Sequence, residues 1–220
     1  VFEEACPPLV VLPKGKPNAL AVALGLPNVW TLPEAMEAIG HGRTIARRPL
    51  AVAAAGDDAQ QVQGFILGAG AFTLATQTGQ QAHRWGAFNS FAVGLTILWG
   101  LLQTLFGAAG NIWRRGTPMA LAFAGDGAPP PHSRHGRPNE RFVMLASTLE
   151  RFPLGMRPFG RPHPGLKLAV IDAPVRWMLA LLPLVLTGWN PRLLARNGFH
   201  RVDPQAVELA LGDPFALHGD

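Results

Sequence analysis

Near the start of the chain, Gly15, Lys16 and Asn18 are residues of the types that meet a phosphate. Glycine lets backbone N–H groups approach an anion closely, and lysine supplies a compact positive charge. Their flanks read as supports. Leu9 to Leu12 is an apolar run that predicts a buried strand, Pro17 suits a first helical turn, and Gly25 with Pro27 closes the helix. Strand, tight turn and helix is the grammar of an anion site, because the helix start offers free N–H groups and a partial positive charge.

Other residues invite chemistry and are set aside. His132, His135 and His163 are loosely spaced, stand in Pro/Gly-rich loops and have no Cys or acidic partner, so no metal site is read from them. Ser90, Ser133 and Ser147 lack a Gly-x-Ser-x-Gly setting, which argues against a serine hydrolase. Gly125-Asp126-Gly127 leads into Pro129-Pro130-Pro131 rather than a helix and reads as a turn. Arg134, Arg137, Arg141, Arg151, Arg157, Arg161 and Lys167 concentrate positive charge in the second half, with Phe159, Trp177 and Trp189 nearby in sequence. That mixture suits an anionic membrane surface, with a solvated basic face as the alternative. No aromatic-basic motif of a nucleic-acid reader is present, so no nucleic acid is expected.

The elements must come from 220 residues, 48% hydrophobic and 15% charged, enough for a real core in one large or two small domains. Twenty-five Gly and twenty-one Pro imply many turns, which favours an α/β or β-rich chain over a bundle. A net charge of +5 points to anionic partners. The single Cys6 excludes an intrachain disulfide framework and suits a reducing compartment. Beginning at Val1 without Met or a signal pattern, the chain reads as a fragment.

The first 41 residues read as half of an α/β unit, with a second short helix from Pro33 to Ile39. Gly40-His41-Gly42 marks a boundary, and residues 42–220 read as β-rich with inserted helices. Strands are expected over Thr44 to Ala54 and Gln61 to Ala71, joined at Gly56-Asp57-Asp58, then over Pro118 to Ala124, Phe142 to Ser147, Leu166 to Ile171, Phe199 to Leu211 and Phe215 to Leu217. Ala128 to Asn139 and Arg151 to Pro164 read as loops, and helices are expected from His83 to Phe106 and Val175 to Leu186. Ala87 to Gly110 carries no charge and admits three readings: an internal core helix, a membrane-surface helix or a spanning helix.

The order of residues also carries a resemblance. Pro13-x-Gly15-x-x-Asn18, followed by Ala23-Leu24-Gly25-Leu26-Pro27, resembles the Pro-x-Gly-Thr-x-Asn segment of the diacylglycerol kinase and sphingosine kinase family of lipid kinases. Gly64 to Gly70 with a helix near His83 to Gly86, and Arg141 to Ser147 followed by Pro153 to Pro158, stand where that family has a Gly-rich strand with a helix and a strand with a Gly-rich loop. Leu217-His218-Gly219-Asp220 resembles its Leu-Asp-Gly-Glu. The departures are Lys16 for Thr, Ala19 for the Asp that often follows Asn, His218 for the first acid, and Pro164-Gly165 for an Asp-Gly metal pair. The family's Gly-Gly-Asp-Gly-Thr turn has no counterpart before Pro7.

The resemblance implies a partial α/β nucleotide-binding unit followed by a β-sandwich-like domain. It implies transfer of the γ-phosphoryl of ATP, with Mg²⁺, to a diacylglycerol-type lipid hydroxyl by a cytoplasmic protein held peripherally at a membrane. Gly15, Lys16 and Asn18 would meet the nucleotide, and Asp220 would act as the general base. The departures leave a second expectation, a non-catalytic homologue that binds lipid or nucleotide.

Overall fold

A computed structural model describes residues 9–13, 18–27, 29–42, 44–84, 102–107, 111, 115–124, 131–134, 136–137, 139–173, 176–189 and 192–218. Two small helices come first, α1 (Ala19–Leu24) and α2 (Leu32–Gly40). A hairpin of β1 (Leu50–Ala54) and β2 (Asp57–Gly64) leads to β3 (Ile66–Gly70) and α3 (Ala71–Arg84). Then come β4 (Thr117–Ala124), β5 (Glu140–Ser147), β6 (Lys167–Asp172), α4 (Arg176–Leu186), α5 (Arg192–Arg196), β7 (Phe199–Val202), β8 (Ala206–Leu211) and β9 (Ala216–His218).

The main sheet runs β7-β6-β5-β3-β9, all antiparallel, and β4 joins the start of β5 before pairing along its length with β8. Both faces of this sheet are covered, so β6 is apolar on both sides and buried throughout. Leu168 and Val170 point to a core shared with Leu67, Ala69, Met144, Ala146 and the β4 residues Met119 and Leu121. Ala169 and Ile171 point the other way, to a core shared with α1, Met178 and Val185 of α4, Leu194 of α5 and Phe199. Phe142 has the parity of Met144 yet lies in this second core. The register shift between Arg141 and Val143 turns it over, as a bulge does.

Several expectations are corrected in detail. Leu9 to Leu12 is not a strand: Leu9 is 82% exposed, and no described strand pairs with it to satisfy a ladder. The hairpin turns one residue early, at Ala55 and Gly56, and the expected strand over Gln61 to Ala71 divides at Phe65 between two sheets. The expected strand from Phe199 to Leu211 divides likewise, at Asp203 to Gln205. Most of the helix expected from His83 to Phe106, and the Gly125-Asp126-Gly127 turn, lie outside the described residues. Among the described residues no helix is long and apolar enough to cross a membrane.

The corner between β3 and α3 is set by Gly70, whose φ of +71° favours glycine. A Cβ there would lie 2.5 Å from the Phe142 carbonyl oxygen, so backbone would have to move. Gly70→Ala is therefore expected to lower unfolding stability by about 2 kcal/mol, measured as a reduced urea midpoint.

Candidate functional site

Asn18 is the one expected nucleotide-binding residue among those described; Gly15, Lys16 and Asp220 lie outside them. Asn18 heads α1 in the left-handed conformation, φ 40° and ψ 41°, which Asn tolerates better than most residues. Its carbonyl accepts the first helical bond from Val22 N at 3.0 Å. Gly25, also left-handed, ends the helix, and Leu26 N donates back to Ala21 O at 2.9 Å. Ala19, Leu20 and Ala23 fix this short helix in the core, where Phe65 and Ile66 also pack.

The C-terminal strand reaches that same corner. Ile66 pairs with His218, and Phe65 N donates to His218 O at 2.8 Å. The His218 ring stands edge-on to Phe72, with centroids 5.9 Å apart. Glycine at Gly64 makes room, since a Cβ there would come within 2.7 Å of Leu217. Phe65 and Ile66 thus pack on the same core cluster as α1, and Ile66 pairs with β9.

Two constellations were not singled out from the sequence. The first surrounds Asp172, which is fully buried at the end of β6. Its carboxylate pairs with the buried Arg141 guanidinium, accepts from Ser133 N at 2.8 Å and accepts from His200 Nε2 at 3.0 Å. His132 Nδ1 lies 3.7 Å away, and Arg141 also donates to Pro131 O at 2.9 Å. Burial alone would push the Asp172 pKa up, but the His200 and Ser133 hydrogen bonds and the Arg141 charge hold it well below the usual carboxylate range. The network ties the 131–137 loop to β5, β6 and β7. A sequence signal existed, because Asp172 is the only acid between residues 151 and 202.

The second is the loop between β5 and β6. Lys167, only 2% exposed, donates from Nζ to the carbonyls of Thr148, His163 and Gly165 at 3.2, 2.9 and 2.9 Å. One ammonium group therefore closes the neck of a compact loop. Burial pushes its pKa down, against the opposing influence of Glu150 and Asp203. Inside the loop Phe152 and Phe159 pack with centroids 5.5 Å apart. The same two rings, with Glu150, Arg157, Arg161 and Lys167 among others, line a small cleft. Ser147 is structural too: its hydroxyl donates to Phe65 O at 2.7 Å and accepts from Leu149 N at 3.0 Å.

Among the described residues no group of three or more His, Cys, Asp or Glu side chains is placed to hold a metal ion. The acidic partners that the sequence did not show for His132 and His163 are supplied by folding: Asp172 lies 3.7 Å from the first and Asp203 2.9 Å from the second, each within a local network.

No protein-family profile matches the chain, and no curated protein matches it in sequence. Its fold does match solved structures. A crystal structure of a diacylglycerol kinase from Bacillus anthracis str. Sterne aligns over 99% of this chain with a TM-score of 0.57 and 13% identity. Two further structures from that organism align equally fully, each with a TM-score of 0.58, at 14% and 13% identity. The chain spans about 63% of the length of the first and 64% of the other two. The mixed α/β fold expected from the sequence resemblance is thus the fold observed.

Proposed function

We propose that this chain is a diacylglycerol kinase-type lipid kinase, which transfers the γ-phosphoryl group of ATP to the hydroxyl of a diacylglycerol-type lipid at a membrane surface. The observation that carries this reading is the fold match over 99% of the chain. Support also comes from Ile66, which pairs with His218 of β9 and packs on the core cluster to which α1 belongs. Asn18, with Gly15 and Lys16 just before it, would meet the nucleotide, and Asp220, two residues beyond His218, would take the proton from the lipid hydroxyl. Mg²⁺ would enter as a partner of the nucleotide phosphates.

A second reading, a homologue that binds nucleotide or lipid without transfer, is favoured by His218. Its ring packs against Phe72 where the family carries an acid, and cannot supply a carboxylate there.

Equilibrium dialysis with labelled ATP tests the nucleotide site in this chain and in a form extended upstream of Val1. Saturable binding that weakens about tenfold in Lys16→Ala and Asn18→Ala is expected. Absence of binding in both forms would overturn the nucleotide reading, and binding without phosphoryl transfer to any diacylglycerol or sphingoid base would favour the second.

A further inference from the structure

We infer that the loop closed by Lys167, together with the turn after α4, is a docking face for an anionic lipid bilayer. This deepens the lipid-kinase reading, on which it rests for its choice of partner, by naming the surface that meets the membrane.

The inference begins with Leu154. This residue is 96% exposed and sits at φ 58° and ψ 18°, a left-handed conformation that side-chain-bearing residues avoid. Gly155 follows it, also left-handed. In water a leucine gains nothing from this position: it strains the backbone and hydrates an apolar side chain. Insertion of its side chain among lipid chains would offset both effects.

The tip is held rigidly. Lys167 closes the neck below it, and Phe152 and Phe159 fill the inside. Arg201 then joins the loop to the end of α4, donating to Pro158 O at 2.8 Å, Val185 O at 2.8 Å and Trp189 O at 3.0 Å. Arg157 N completes the seam with a 2.6 Å bond to Leu186 O. Leu184 and Trp189, each 44% exposed, thereby belong to a segment bonded to the loop that carries Leu154. Trp is the side chain best suited to the boundary between headgroups and hydrocarbon.

Charge selects the kind of bilayer. Arg151, Arg157 and Arg161 are exposed around the tip, and none is paired with a described carboxylate. The only acid from residue 151 to 202 is Asp172, buried and neutralised by Arg141; at the edges of the loop Glu150 stands against Arg47 and Asp203 against His163. Arginines around an apolar tip complement anionic headgroups around hydrocarbon.

Co-sedimentation of the protein with phosphatidylglycerol–phosphatidylcholine vesicles, without ATP, tests the inference. Binding to these vesicles and little to pure phosphatidylcholine is expected. Leu154→Gly suits the left-handed turn and should melt no lower than the wild type, yet bind roughly tenfold more weakly. Arg157→Gln with Arg161→Gln should bind roughly thirtyfold more weakly. Wild-type affinity in either variant, equal binding to both vesicle types, or no binding would overturn the proposal. So would a tRNA complex that depends on these arginines while vesicles stay unbound. Because no nucleotide is present, failure here leaves the ATP reading standing, and failure of ATP binding leaves this face standing.

Discussion

Replacing Asp172 with Asn is expected to lower the unfolding free energy by about 3–5 kcal/mol, because it leaves the Arg141 guanidinium buried and without its countercharge. Most of that loss reflects the stranded charge. A double variant, Arg141→Met with Asp172→Asn, removes that charge and keeps an amide oxygen to accept from Ser133 N or His200, so it should be closer to the wild type than Asp172→Asn alone, a sign that urea unfolding of all three proteins would read directly. The network also predicts acid sensitivity. Folding depresses the Asp172 pKa, so the unfolded chain takes up its proton first as pH falls. The stabilisation is complete above the ordinary carboxylate pKa of about 4 and drains away below it, as pH falls toward the lowered folded value. Asp172→Asn should flatten that part of the stability profile.

Lys167→Met is expected to have the second largest effect, about 3 kcal/mol, because it removes charge-assisted bonds to the Thr148, His163 and Gly165 carbonyls. The methionine stem would still fill the buried space, so the loss is polar rather than steric. Hydrogen exchange should locate it: amides of residues 149–162 should lose protection before those of β5 and β6. Uniform loss across the sheet would instead mean that the ammonium supports the whole core.

These residues also mark how far the sequence could be read. The antiparallel half was legible because β4, β5 and β6 are apolar runs bounded by Gly, Pro and charge, and their locations match the runs closely. Lys167 stood out in the sequence only as one basic residue among several, since its three carbonyl partners come from a loop whose path no local pattern reveals. The expected strand at Leu9 to Leu12 failed for a related reason. Apolar composition states that a segment can be buried, whereas a strand also needs a neighbour to pair with. Asp172, one residue past the strand expected over Leu166 to Ile171, organises the network, because Arg141, Ser133 and His200 are brought to it only by folding. The site residues Gly15, Lys16 and Asp220 rest on motif resemblance, with Asn18 alone among the described residues at the head of α1.

Transfer of γ-labelled phosphate from ATP to dispersed diacylglycerol, by the chain or its upstream-extended form and by the matching Asp220→Asn variants, is the most direct test of the proposed activity. The predicted result is label in the lipid with the native residue and a loss of about a hundredfold or more with Asp220→Asn. Label that never appears in the lipid, or that appears equally in the variant, would contradict it.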